Sequence, residues 1–429
     1  MTRIEGHAKV VIELDEKGNV KDSYFKVPEL RGFEKFLQGR PIEEAPRITS
    51  MVCGSNAVSH HLASAKACDM ALRVEPTETG ILTRELMQVG EFIQSHALHF
   101  LLATPDLFGQ GKGRGIFEII EERKELARMT MEVAKLGRKI TGKSGGRAVH
   151  PVSAMPGGVA KRLTKEEVDE LKRDIKGNEE NISNLIMIAK DQLLKKKQYI
   201  QDLDSQRTYY MGLVDDGKLS FYEGKIKIID ADGDLAQKFE ASDYQKHISE
   251  HVEPWSYLKF AYYKEAGWPS GIYRVGALAR TNIIADIATP LAKDEFEEYK
   301  KNTRRPAHDT MLYDWARLIE LRYAIERASE ILDKNLTGSE IRKPIGFKAG
   351  EGIGAVESPE GTIIHHYVAN EDGIITKAKL IVATAQNNAA INRSVREVAK
   401  RRIRKGRADE AAMNDIETII RAYGPCFSH

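Results

Sequence analysis

Long segments with apolar residues at helical spacing recur along this chain of 429 residues and constrain its fold more than any other feature. Apolar residues three or four positions apart form one helix face, which must be buried against a neighbouring element. The helical segments are predicted over 59–73, 77–103, 115–140, 309–334 and 386–405. Another helix is predicted to begin at Thr164, because Glu167 completes a capping box there. The predicted fold is therefore mainly α (α+β), with a central bundle of long helices.

Short stretches with β character lie between these helices. Residues 8–28 alternate apolar and polar on both sides of a turn, which predicts a two-stranded hairpin. Turn residues between β-branched and aromatic runs predict a small β insert near 206–240, and strands are also expected over 351–384. No repeat, low-complexity segment or long linker divides the chain, so a single domain over 1–429 is predicted.

Composition excludes several classes of function. The 65 Lys and Arg residues balance 63 Asp and Glu residues, which leaves no basic field for binding nucleic acid. No apolar run reaches the ~18 residues that a membrane span needs, and the N-terminus has no secretory signal. Three cysteines are too few for a disulfide scaffold. We therefore expect a cytoplasmic protein without a membrane span.

Two of the cysteines lie in similar local patterns at opposite ends of the chain. Cys53 is followed three positions later by Asn56, and Cys426 is followed three positions later by His429. In metal sites this spacing lets two side chains converge across a short turn. A lone buried cysteine is more often a small core residue than a ligand, and this is the interpretation favoured for Cys68.

Motifs along the whole chain resemble those of the large subunit of [NiFe]-hydrogenases. In particular, they are similar to the cytoplasmic methyl-viologen-reducing type that works beside heterodisulfide reductase. The matching motifs are TRIEGH at 2–7, RGFE at 31–34, CG at 53–54 with His60, SHALHF at 95–100, HP at 150–151, PGG at 156–158, ESP at 357–359, HHY at 365–367 and RAYGPC at 421–426.

The resemblance implies a fold, a cofactor and partners. It implies a large-subunit bundle in which two C-x-x-C pairs hold nickel, and the second cysteine of each pair also bridges to an iron bearing cyanide and carbon monoxide. It further implies a small iron–sulfur subunit together with other electron-transfer subunits, of the heterodisulfide-reductase-linked kind. With three cysteines, this chain cannot hold a four-thiolate iron–sulfur cluster beside the Cys53 and Cys426 site, so electrons would pass through the partners.

Four positions depart from the family pattern at that cofactor. Asn56 and His429 stand where the second cysteines are expected, Glu360 stands where the family has arginine, and Gly424 stands where it has aspartate. An intact NiFe(CN)2CO centre is therefore not expected. The alternatives are a pocket without metal, one mononuclear metal or a Cys53–Cys426 disulfide, the last disfavoured in a reducing cytosol. A mononuclear zinc, nickel or iron would be held by Cys53, Cys426, His429 and His60.

Two carboxylates match further family positions. Glu5 corresponds to the family's proton-relay glutamate, and the alternative is that it only bonds nearby backbone. Glu34 corresponds to a ligand of a structural magnesium, and the alternative is a salt bridge to Arg31 or Lys35. Magnesium is thus a second candidate cofactor.

Three functions remain open, and with them the question of whether this chain is itself an enzyme. The first is a hydrogenase large-subunit homologue within a cytoplasmic electron-transfer oxidoreductase complex, with a degenerate dinuclear site that does not split dihydrogen. The second is an active [NiFe]-hydrogenase large subunit with an altered site. The third is a mononuclear Cys/His metal protein.

Overall fold

Helices account for most of the regular structure in the computed structural model, which describes residues 3–4, 6–30, 32–108, 116–346 and 349–426. The helices are α1 (Phe33–Leu37), α2 (Ala45–Thr49), α3 (Ala57–Ala71), α4 (Glu78–Phe108), α5 (Ile116–Glu122), α6 (Lys124–Gly145), α7 (Lys165–Lys195), α8 (Lys197–Leu203), α9 (Tyr244–His247), α10 (Ala277–Ile283), α11 (Pro290–Asn302), α12 (Leu312–Leu332), α13 (Ala383–Arg402) and α14 (Glu410–Tyr423). The predicted mainly α, α+β class is confirmed.

The strands form small sheets around the helices. They are β1 (Lys9–Leu14), β2 (Val20–Lys26), β3 (Ala154–Met155), β4 (Gly158–Val159), β5 (Tyr209–Asp215), β6 (Lys218–Leu219), β7 (Lys225–Ile229), β8 (Leu235–Phe239), β9 (Ile248–His251), β10 (Phe260–Tyr263), β11 (Tyr273–Arg274), β12 (Gly350–Ser358), β13 (Gly361–Ala369) and β14 (Ile375–Ile381). One sheet has the order β11-β5-β7-β8 with β6 beside β5, and β12, β13 and β14 form an antiparallel meander.

The central bundle is built from α4, α6, α7 and α12, whose apolar faces pack against one another. Phe92 and Ile93 of α4 and Val133 and Ile140 of α6 are completely buried in this core. Each such side chain contributes ~2 kcal/mol of transfer free energy relative to an exposed position. The predicted capping box at the start of α7 is present, since Thr164 and Glu167 bond each other's backbone amides at 3.2 and 3.1 Å. The bundle is therefore held together by the apolar helix faces that the sequence predicts.

Two of the predicted helices differ most from the structure. The helix predicted over 77–103 continues as α4 to Phe108. The helix expected over 115–140 is two helices, α5 and α6, because Arg123 between them has a non-helical backbone (φ −128°, ψ 50°). Apolar periodicity continues across such an interruption, so it does not reveal a change of helix axis.

The meander lies directly against α3, and glycines make this close approach feasible. A Cβ at Gly352 would lie 2.0 Å from the carbonyl oxygen of Ala67, and one at Gly354 would lie 2.2 Å from that of Ala63. The alanines of α3 and the glycines of β12 thus let a strand pack against a helix almost backbone to backbone. This contact places the turn between β12 and β13, at residues 359–360, near the start of α3.

The described helices include none that is both long enough and apolar enough to cross a lipid bilayer.

Candidate active site

The two cysteines singled out in the sequence meet in the fold. Cys53 precedes α3 and Cys426 follows α14, and their Sγ atoms are 2.7 Å apart although 373 positions separate them in sequence. Both residues are 1% exposed. Thr384, at the start of α13, bonds both the carbonyl oxygen and the amide of Cys426 at 2.8 and 3.2 Å. The predicted convergence of the two ends of the chain is therefore present.

Asn56 places an amide where the family pattern calls for a thiolate. Its backbone N–H donates to Cys53 Sγ at 3.4 Å, and the residue is 1% exposed. It occupies the N-cap position of α3, yet its side chain makes no capping hydrogen bond. Its Oδ1 atom has no hydrogen-bond partner among the described residues. Asn56 thus fills this position of the family pattern with a buried, neutral side chain.

Glu91 of α4 caps α3 in place of Asn56. Its carboxylate accepts the N–H groups of Val58 and Ser59 at 2.8 and 3.1 Å, and it also contacts the Ser59 hydroxyl. Burial raises the pKa of Glu91 to about 8, the hydrogen bonds from Ser59 and Val58 oppose this, and Glu360 adds to it. Sequence reasoning did not identify Glu91, because its partners lie more than 30 positions earlier.

A cavity of about 190 Å³ adjoins the thiol pair. Gly54 and Ser55 contribute to it from the Cys53 side, Gly424 and Pro425 contribute from the Cys426 side, and the carboxylates of Glu91 and Glu360 also line it. Further lining residues include Arg3, His99, His150 and Arg421. The chain neighbours of both thiols and two acidic residues thus surround a space large enough for a few small atoms or waters.

His60 of α3 lies in a buried chain of polar side chains. Its Nδ1 is 3.0 Å from His365 Nε2, His365 Nδ1 is 2.6 Å from the Tyr367 hydroxyl, and that hydroxyl donates to Ser64 at 3.0 Å. Burial lowers the pKa of His365 to about 3, so this imidazole is neutral over the physiological range. The ring of His60 is therefore oriented by His365 through one of its two nitrogens.

A buried ion network holds the turn that carries Glu360. The Arg280 guanidinium bonds Glu320 at 2.5 and 2.8 Å, Glu357 at 2.5 Å, and the carbonyl oxygens of Ser358 and Pro359 at 3.0 and 3.1 Å. Burial would raise the pKa of Glu320, but Arg280 and His96 hold it at about 2. The buried His96 lies 2.9 Å from Glu320.

Asp106 ties the N-terminal segment to the C-terminal helix at the cavity. Its carboxylate pairs with Arg3 at 2.9 Å and with Arg421 at 2.8 Å. Burial acts to raise the pKa of Asp106, but the hydrogen bonds and charges of Arg421 and Arg3 hold it below its ordinary value. Both ends of the chain are thus fixed beside the thiols by one carboxylate.

Of the remaining predicted site residues, one contacts β14 and two lie outside the described residues. Glu5 and His429 lie outside the described residues, so their predicted roles stay predictions. Glu34 accepts the Leu380 amide at 2.9 Å and lies 3.7 Å from Lys379 Nζ. Its salt bridge is therefore to Lys379, whereas Lys35 bonds Gln38. Within the described ranges, no group of three or more His, Cys, Asp or Glu side chains is arranged to hold a metal ion.

Comparisons with known proteins agree over the whole chain. Residues 31–105 match the family model for nickel-dependent hydrogenase, and residues 1–30 match a HoxL-like model. A subunit of the F420-non-reducing hydrogenase of Methanothermobacter thermautotrophicus is 41% identical over all of this chain and 92% of its own length. NAD-reducing hydrogenase HoxS subunit beta of Cupriavidus necator is 38% identical over the same shares.

Solved structures give the same result. A chain of an NAD+-reducing [NiFe]-hydrogenase in the H2-reduced state superposes with a TM-score of 0.95 at 36% identity, covering 100% of this chain and 97% of that one. The Ni-Fe-Se hydrogenase of D. vulgaris Hildenborough shares the fold with a TM-score of 0.81 at 21% identity.

These comparisons contradict the cofactor expectation. We expected no intact NiFe(CN)2CO centre, with an empty pocket or one mononuclear metal in its place, and magnesium at Glu34 as a second candidate cofactor. The full-length relatives are hydrogenases by name, and the similar solved chain is a [NiFe]-hydrogenase. The expectation is therefore wrong, because it judged the cofactor from four positions while the rest of the chain follows nickel–iron enzymes.

Proposed function

The chain belongs to the nickel-dependent hydrogenase family, and from this premise we propose that it is the large-subunit component of a cytoplasmic electron-transfer oxidoreductase complex that does not itself split dihydrogen. The complex would be of the kind linked to heterodisulfide reductase. The relatives whose names make them subunits of F420-non-reducing hydrogenases support the assignment to a multi-subunit assembly.

The number and positions of the cysteines support the proposal that the chain does not itself split dihydrogen. The chain has three cysteines, and Cys68 bonds the Ile42 carbonyl in a different hydrophobic cluster from Cys53 and Cys426. Two thiolates therefore stand where the family resemblance calls for four, and Asn56 supplies an amide that is neither anionic nor able to bridge two metals. The four-thiolate donor set that the resemblance implies is therefore incomplete in this chain.

The partner requirement follows from the same inventory. An iron–sulfur cluster held by four thiolates cannot be built from three cysteines, two of which lie in one pocket. Electrons entering or leaving the complex would therefore travel through clusters of other subunits, the first of them a small iron–sulfur subunit. In this arrangement the large subunit contributes its fold and docking surface.

Dihydrogen-dependent reduction of methyl viologen by the purified native complex tests the proposal. We expect a rate no higher than that of the same complex carrying Cys53→Ala, because neither site has four thiolates. Reduction of the partner clusters by dithionite, followed optically, serves as the control that electron transfer is intact. A rate well above that of the Cys53→Ala complex would refute the proposal and establish the second candidate, an active hydrogenase with an altered site, which the relatives' names favour.

A further inference from the structure

Arg317 of α12 lies next to Gly424, one of the residues that line the cavity. Arg317 is 3% exposed. Its Nη1 donates to the Ala422 carbonyl oxygen at 2.7 Å and to Asp314 at 3.3 Å, and it lies 3.1 Å from His99 Nε2. Its Nη2 has no hydrogen-bond partner within the described part of the chain. A buried guanidinium nitrogen in this situation carries a desolvation cost, so its position calls for a physical reason.

Gly424 provides that reason, because a glycine leaves room for the guanidinium beside it. Gly424 ends α14 in the left-handed region (φ 64°). A Cβ on this residue would lie 2.8 Å from Arg317 Nη2 and 3.6 Å from Glu360 Cγ. The guanidinium and the glutamate side chain therefore approach position 424 together. A side chain there would have to displace the guanidinium.

The charges of the same residues are linked. Burial lowers the pKa of Arg317, and the negative charges of Asp314 and Glu360 oppose that lowering. Glu360 is 8% exposed and also acts on Glu91, whose pKa it raises further. Without a nearby cation, two buried carboxylates would face each other across a small cavity, which is unfavourable in a medium of low dielectric constant.

We propose that Arg317, Glu360 and Gly424 form one unit in which Arg317 is the positioning residue. Its guanidinium balances the Glu360 carboxylate, occupies the space that glycine leaves at 424 and, through Ala422, fixes the segment that carries Cys426. A cation from α12 thus acts on Glu360, in addition to Arg3 and Arg421, which line the cavity and pair with Asp106. The inference goes beyond the proposed function, since it holds whether or not the chain splits dihydrogen.

A charge reversal tests the electrostatic part. In the full-length chain, Glu360→Arg sets a second guanidinium against Arg317, and we expect a clear drop in the urea midpoint of unfolding. Adding Arg317→Gln removes the repulsion, so the double variant should be more stable than Glu360→Arg alone. If Arg317 only braces Ala422 and Asp314, the double variant will be less stable than the single one, and this result would overturn the proposal.

A second experiment tests the steric part with milder substitutions. Gly424→Ala should lower the midpoint more than Gly267→Ala, which shares a positive φ (70°) but has no atom within 4 Å of its added Cβ. In the Arg317→Gln background, the penalty at 424 should fall to that of the control, because only the backbone strain remains. An equal penalty at 424 in both backgrounds contradicts the shared space.

The conservative variant separates the two parts. Arg317→Lys keeps the charge but lacks the forked guanidinium. Glu360→Gln should therefore change stability by a similar amount in the parent and Arg317→Lys backgrounds, and by much less in the Arg317→Gln background. The protection of the 410–426 amides against hydrogen exchange should fall in Arg317→Gln and stay intact in Glu360→Gln. The charge coupling is refuted if Glu360→Gln has the same effect in all three backgrounds.

Discussion

Glu91→Gln should make the stability of this protein less sensitive to pH between about 5 and 8. Glu91 of α4 is buried against the start of α3. Its pKa is raised from 4.5 to about 8, chiefly by burial. Ionising it in the folded chain therefore costs roughly 5 kcal/mol more than in the unfolded chain, at 1.36 kcal/mol for each tenfold change in acidity. That figure is an upper bound on the effect of one carboxyl group.

The sign follows from which state keeps the proton. Below pH 4.5 both states are protonated and the stabilising contribution of the raised pKa is complete. Between pH 4.5 and 8 the unfolded chain loses the proton while the folded chain keeps it, so stability falls as pH rises. Above pH 8 both are ionised, and no further loss occurs. Glutamine does not titrate and escapes this loss.

Near pH 5 the variant should be the less stable protein. At pH 5 the neutral carboxyl group presents a carbonyl oxygen and a hydroxyl oxygen to the donors from Val58 and Ser59, whereas the glutamine amide presents one oxygen and an NH2 group that cannot accept. A buried donor without its partner costs about 1–3 kcal/mol. The free energy of unfolding of Glu91→Gln relative to the parent should therefore start negative at pH 5 and increase by several kcal/mol toward pH 8.

Urea unfolding followed by tryptophan fluorescence measures this difference at pH 5, 6, 7 and 8. Glu121→Gln, on the exposed face of α5, is the matched control and should give a difference that does not vary with pH. A constant difference for Glu91→Gln over the whole range would show that Glu91 does not carry a proton in the folded protein. The reasoning from burial would then be refuted.

Three further predictions concern the thiol pocket, the ion network and the contact of α3 with the meander. Asn56→Cys should give no dihydrogen-dependent viologen reduction, because a third thiolate is still short of four; measurable activity in that variant contradicts this. Arg280→Met should lower the free energy of unfolding by about 3–5 kcal/mol, since it leaves two buried carboxylates unpaired, and an unchanged thermal midpoint would disprove it. Gly354→Ala should cost about 3 kcal/mol, the upper end of the usual range for overpacking, because its Cβ would meet the Ala63 carbonyl oxygen at 2.2 Å. The exposed helical control Gly177→Ala, which has open space around it, should gain up to about 1 kcal/mol in the same urea experiment.

Local patterns in the sequence predicted the local structure well. The hairpin of β1 and β2, the capping box of Thr164 and Glu167, and most long helices follow from spacing alone, since each depends on residues a few positions apart. The ends of α4 and the break at Arg123 do not, because backbone direction changes without altering the apolar pattern. The convergence of Cys53 and Cys426 came from the family resemblance, and no spacing in the chain implies it.

The charged residues of the site show where sequence reasoning ends. Glu91 looks like any acidic residue of a long helix, and Arg317 looks like any basic residue of another. Their roles depend on burial and on partners 33 and 105 positions away, respectively. Composition gives the number of charged residues but not which of them are buried. Glu360 is a further example, since its charge acts on Arg317 of α12, which lies 43 positions earlier in the chain.

The cap on α3 links these charges to the thiols. The first N–H groups of a helix carry partial positive charge, which favours an anion nearby. Here two of those groups are used by Glu91, and Asn56 does not compete for them. While Glu91 keeps its proton, the helix end still favours negative charge at Cys53; once Glu91 ionises, its own charge offsets that preference. The charge of Glu91, a residue of the central bundle, therefore acts at the end of α3 that follows Cys53, so a substitution in α4 can alter this side of the pocket without touching a cysteine.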